Sequence, residues 1–172
     1  MPIFARHSVV SLVSIVFLMN SAPKSFATEL SPKEIYKLYS PGVVLIMGLE
    51  SDGSGELGTG SLVDAKGKVL TNAHVVIRAS TGKPYETIRV YLKPAKISGD
   101  PQTDLVNPIS AKVASYDRGL DLAILDLETA PADPTVVPFR DSAEVDSGAQ
   151  VVAIGPPEQG GVWPGAPGGG WP

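Results

Sequence analysis

With 172 residues, 18 acidic side chains against 14 Lys and Arg, and a formal net charge of −4, the chain has room for one domain with a true core and is a poor partner for nucleic acid. It contains no cysteine, which excludes disulfides, thiol catalysis and thiolate metal sites. Its only histidines are His7 and His74, so an imidazole metal cluster is excluded as well, and no metal or cofactor is expected.

The first 27 residues read as an export leader. "MPIFARH" is basic, residues 8–19 are apolar, and Ser25-Phe26-Ala27 places small residues two apart before a cleavage site after Ala27. The apolar run is short against the roughly 20 residues that span a bilayer, and no longer one follows, so no stable membrane anchor is expected after cleavage. The expected location is outside the cytoplasm, periplasmic or extracellular. Residues 1–27 carry Arg6 and Lys24 and no acid, so cleavage leaves residues 28–172 more acidic.

Residues 28–41 form a lead-in. Ser31-Pro32-Lys33-Glu34 is a helix start, with Ser31 as cap, Glu34 reaching back and Pro32 in the first turn; Pro41-Gly42 ends it. Strands are expected next. "VVLIMGLE" is apolar and β-branched, and "GSLVD" and "KVLTN" flank the tight turn Ala65-Lys66-Gly67. "TIRVYLKP" and "DLAILDLE" alternate, "ISAKVASYD" does so loosely, and "AQVVAIG" reads as a buried strand. Residues 94–108 read as a surface loop. Short strands broken by Gly and Pro predict an all-β barrel or sandwich. The end, "VWPGAPGGGWP", holds both tryptophans and no charge; either a flexible Gly/Pro terminus or a shifted reading frame from about Pro164 accounts for it.

Gly53-Ser54-Gly55-Glu56-Leu57-Gly58 matches a dinucleotide-binding pattern, but that motif needs a helix directly afterwards to meet the pyrophosphate. A hairpin follows instead, so these glycines are expected to serve a turn. The stronger signal is His74, where an apolar strand ends in "TNAHVV". Downstream, Asp121 opens the apolar strand "LAIL" and is expected to be part-buried. A carboxylate beside an imidazole sets its tautomer and steadies the imidazolium, which makes the ring a competent proton acceptor. Asp104 in "TDLV" and Asp117 in "SYDR" are rival carboxylates, but neither opens a clean apolar strand.

On these blocks the sequence resembles the trypsin-like serine peptidases of the two-barrel chymotrypsin fold, and within them the disulfide-free HtrA/Deg-like bacterial branch. "GTGSLVDAKGKVLTNAHVV" is similar to the hairpin that leads into the catalytic histidine, which falls on His74. "DRGLDLAILDLE" is similar to the segment of the catalytic aspartate, which falls on Asp121. "VPFRDSAEVDSGAQVVAIGPPEQGG" resembles the linker and first strand of the second barrel. The resemblance covers roughly residues 38–161. It implies a first β-barrel over 42–140 and a linker and the opening strand of an incomplete second barrel over 141–161; residues 162–172 are expected, from their composition, to be an aberrant Gly/Pro tail. The resemblance implies protein or peptide substrates, and it leaves the oligomeric state open.

The family's nucleophile lies in a Gly-x-Ser-Gly-Gly segment whose backbone N–H groups also build the oxyanion hole. The 172 residues contain none: Ser54, Ser61, Ser142 and Ser147 all lack the following Gly-Gly. The expectation is therefore an exported serine endopeptidase represented by its histidine and aspartate half, with no nucleophile in this chain and inactive alone. The alternative is a non-catalytic single-barrel module that binds peptides or a partner chain along open strand edges.

Overall fold

The structure, a computed structural model, describes residues 30–155 and Trp163. The leader, and the terminal stretch apart from Trp163, lie outside the described residues. The chain enters through helix α1 (Pro32–Tyr39), where the expected capping box forms: Ser31 Oγ accepts from Glu34 N–H and the Glu34 carboxylate accepts from Ser31 N–H. A single tight turn over Ser40–Gly42 then hands the chain to the first strand.

Six strands follow: β1 (Val43–Leu49), β2 (Gly55–Leu62), β3 (Lys68–Thr71), β4 (Thr87–Leu92), β5 (Ile109–Asp117) and β6 (Leu122–Leu127). They close into an antiparallel barrel in the order β1-β2-β3-β6-β5-β4. Closure gives each strand two neighbours, which is how a small all-β unit protects its backbone donors and acceptors. A one-turn helix, α2 (Ala73–Val76), follows β3, and another, α3 (Pro101–Asp104), lies within the 94–108 loop.

Alternation sets the two faces. On β1, Val44 and Ile46 point inward, and Val90 of β4, Val69 of β3 and Leu125 of β6 meet them, all fully buried. Ala73, Val75 and Val76 of α2 stop one end of this core. Each such buried side chain contributes about 1.5–3 kcal/mol relative to exposure.

The glycine-rich stretch is mostly strand rather than turn. Only Gly53 needs its glycine for a turn, with φ +84°, while Gly55 and Gly58 belong to β2. At Gly58 a Cβ would collide with the Val75 side chain, so this glycine is what lets α2 lie against the barrel. No helix follows the glycines, and the nucleotide pattern falls with that.

One expected strand is absent. Residues 149–155, "AQVVAIG", have no strand pairing, and Val151 is 82% exposed. A strand needs a neighbour for its N–H and C=O groups, and this segment pairs with no strand of the barrel. The segment runs instead over the barrel surface. Gln150 and Val152 border a small cavity with Leu30 and Ile35, and Gly155 lies over Thr59.

The outer face of the barrel has its own small core. Thr59, Leu45 and Tyr91 are register partners across β2, β1 and β4. Leu45 and Tyr91 are covered by Trp163, itself 1% exposed, with Met47, Ile97 and Leu105 around them. Because the chain has two tryptophans, a Trp171→Phe variant isolates the indole of Trp163. We expect its fluorescence to be blue-shifted and resistant to acrylamide in the native state; red-shifted, freely quenched emission would show that this seat is empty.

Candidate active site

The β3–β6 ladder brings together two residues far apart in sequence. Thr71 pairs with Ala123, and Leu70 with Ile124. His74 lies three residues beyond Thr71, and Asp121 two residues before Ala123. Both therefore emerge at the same end of the ladder, His74 on α2 and Asp121 at the turn that opens β6.

Their side chains meet. His74 Nδ1 is 2.7 Å from Asp121 Oδ2, and the His74 backbone N–H donates to Asp121 Oδ1 at 2.9 Å. Among the described residues the His74 ring bonds to Asp121 alone. The Asp121 carboxyl is held below the ordinary aspartate value of 3.8, first by the His74 backbone N–H and then by the His74 ring, with the Asn72 amide adding to them and partial burial opposing. An ionised carboxylate only accepts, so the proton of this contact resides on Nδ1, and in the neutral ring Nε2 is the nitrogen that carries the lone pair. The backbone at Asp121 is left-handed, φ +53°, a conformation that costs a non-glycine residue on the order of 1–3 kcal/mol. Aspartate is among the side chains that tolerate it best.

Both side chains face solvent, with 66% of His74 and 44% of Asp121 exposed, the latter part-buried as expected. They border an open groove of about 260 Å³, walled by Tyr85 and Ile77 and flanked by Glu56 and Arg118. Those four residues carry no motif in the sequence; only the folded barrel assembles them.

The rival aspartates are occupied locally. Asp104 is buried, and its carboxylate accepts from Ser98 N–H, Ser98 Oγ and Gly99 N–H, which organises the 94–108 loop. Asp117 Oδ1 accepts from Gly119 and Leu120 N–H at the β5–β6 turn. The Ser54 hydroxyl donates to Asp52. The residue that sequence reasoning passed over is Asn72, whose amide donates to the Asp121 carbonyl at 3.0 Å and to Oδ2 at 3.2 Å. Its place directly before the helix of His74 was the available signal.

Residues 58–167, which include His74 and Asp121, match the trypsin-like peptidase domain. The chain belongs to that family. Among solved structures it is similar to the serine endoprotease from Yersinia pestis, with 23% sequence identity and a TM-score of 0.48. That match covers 65% of this chain and 34% of the other, so this chain spans about a third of the length of its structural relative.

The lowered Asp121 pKa has a stability consequence whose sign is fixed by linkage. A carboxyl depressed in the folded state adds stability above its unfolded value, and that contribution is lost as pH falls through the lower folded value. Urea unfolding of wild type and Asp121→Asn should differ most near neutrality, and the gap should narrow as pH drops below about 4. A gap independent of pH would mean that the folded state does not favour the Asp121 carboxylate.

Proposed function

We propose that this chain provides the general base and its orienting carboxylate to an exported trypsin-like serine endopeptidase of the HtrA/Deg-like branch. The observation that carries the reading is the 2.7 Å contact of His74 Nδ1 with Asp121 Oδ2 at the edge of an open groove. In this reading His74 Nε2 takes the proton of a serine hydroxyl as its oxygen attacks the scissile carbonyl. Asp121 stabilises the imidazolium that results, and the ring then passes the proton to the leaving amine. The leader over residues 1–27 supports export to the periplasm or the extracellular space.

The nucleophile and the oxyanion hole come from a Gly-x-Ser-Gly-Gly segment, which the 172 residues do not contain. The base and its orienter alone have nothing to activate. The alternative, a non-catalytic module that adds a peptide strand to its sheet, has less to work with. The barrel is closed, and the reaches left unpaired on one side are residues 55–59 of β2, residues 111–117 of β5 and the two ends of β4.

The test has two arms. The 172-residue chain alone should neither hydrolyse casein nor be labelled by a fluorophosphonate. Labelling abolished by mutating one serine would reveal a nucleophile within the chain. Residues 28–161 joined to a second trypsin-like barrel carrying Gly-x-Ser-Gly-Gly should cleave peptides, and His74→Ala should reduce the rate by about 10⁴-fold or more. A folded chimera whose cleavage ignores His74 would overturn the assignment.

A further inference from the structure

The one-turn helix that carries His74 begins in an unusual way. The first N–H groups of a helix need acceptors, and an asparagine at the N-cap ordinarily supplies one through its own side-chain oxygen. Asn72 occupies the N-cap of α2 in the usual extended conformation, φ −80° and ψ 145°, yet its side chain makes no capping bond. The N–H of His74, the second residue of the helix, goes instead to Asp121 Oδ1 from across the β3–β6 junction. The Asn72 amide turns the other way and donates to the carbonyl and to the Oδ2 of that same Asp121. Two tasks have been exchanged: the aspartate caps the helix, and the cap residue holds the aspartate.

We propose that Asn72 is the positioning residue of the His74–Asp121 pair, clamping both the main chain and the carboxylate of Asp121 so that Oδ2 meets His74 Nδ1. The inference rests on the peptidase reading of that pair. Both atoms that Asn72 reaches are acceptors, so only the nitrogen end of the amide can face them, and the amide orientation follows. The bond to the carbonyl fastens a left-handed residue where the backbone is strained. The bond to Oδ2 fixes the plane of a carboxylate that is 44% exposed and otherwise open to competition from water. Oδ2 then receives two donors, the imidazole and the amide, while Oδ1 receives the helix N–H. An amide does not titrate, so the clamp does not depend on its own protonation. The other charged groups bordering the pair are Glu56 of β2 and Arg118 of the β5–β6 turn. Asn72 acts on the reaction only through Asp121.

Serine and aspartate start helices about as well as asparagine does, so a residue needed only as a cap tolerates both. Neither Asn72→Ser nor Asn72→Asp retains the amide donors. The measurement is NMR of the full chain labelled with ¹⁵N-histidine and ¹³C-aspartate, with His74 told from His7 by the spectrum of His74→Ala. Asn72→Ser should keep a cooperative thermal transition near that of wild type. Exchange of the His74 Nδ1 proton with water should rise by about tenfold, the equivalent of one modest hydrogen bond, and the Asp121 carboxyl midpoint should move upward. Asn72→Asp should change both in the same direction and further, because it adds a like charge beside Asp121. If either variant loses stability yet keeps the wild-type exchange rate and midpoint in its folded state, Asn72 is a cap alone and the inference is overturned. Asp121→Asn separates the two levels. If it too leaves the Nδ1 proton unchanged, the pair itself is misassigned and the peptidase reading falls with it; if it alone accelerates exchange, only the role of Asn72 falls.

Discussion

The antiparallel pairing of β3 with β6 is the constraint on which the rest of the site depends. These strands are neighbours in the barrel but are separated in sequence by β4, β5 and the 94–108 loop. Four register pairs, Lys68 with Asp126 through Thr71 with Ala123, fix which residues leave the ladder together. A slip of one residue would turn every β6 side chain to the opposite face and send Asp121 away from α2. The slip is opposed from both sides. Ala123 and Leu125 would leave the core, and the ion pair of Lys68 with Asp126, 2.6 Å on the outer face, would lose its partner. That exposed pair contributes little energy, but it favours one register over its neighbours.

The elements most legible in the sequence are those where local chemistry and tertiary role agree. The capping box of α1 is self-contained within four residues. The turn at Ala65-Lys66-Gly67 is written by Asp64, which accepts from Lys66 and Lys68 N–H, and by Gly67 at φ +101°. Asp121 could be preferred over Asp104 and Asp117 because a carboxylate opening an apolar strand has no local backbone donors to absorb it. The other two sit beside such donors, Ser98 and Gly99 in one case and Gly119 and Leu120 in the other. What stayed hidden was whatever depends on a partner elsewhere in the chain. "AQVVAIG" has the composition of a strand, but composition does not provide a neighbouring edge. Gly55 and Gly58 look like turn residues, and their real task is to leave room for Gly48 and Val75. Asn72 looks like an ordinary N-cap, and its exchange of roles with Asp121 requires knowing that β6 arrives beside it.

The exposure of the pair bears on its chemistry. At the surface, water and salt screen the attraction between a carboxylate and an imidazolium, so a contact of 2.7 Å there is worth much less than the same contact in a dry cleft. What the single barrel secures is therefore geometry rather than electrostatic strength. The tautomer is set by the acceptor at Nδ1, the ring is carried on a helix stopped against the core by Val75 and Val76, and the carboxylate is held at both oxygens. A wall closing over the groove would lower the local dielectric and strengthen these interactions without rearranging them.

The barrel also shows how a segment without a sheet edge can still be tied down. The chain after β6 is anchored at separate points: Val137 N–H donates to the Leu62 carbonyl at 2.8 Å, Thr135 packs on Gly42, and Gly155 reaches Thr59. Thr59 belongs to the cross-strand row that continues through Leu45 to Tyr91, where Trp163 is seated. Among the described residues of this path few backbone hydrogen bonds reach the barrel, and a few side-chain seats, of which the indole is the largest, hold it instead. Such an arrangement tolerates irregular backbone between anchors but not the loss of an anchor. Closure of the barrel and attachment of the following chain thus rest on opposite faces of the same strand: Val44 and Ile46 of β1 fill the interior while Leu45 and Met47 receive the tryptophan outside.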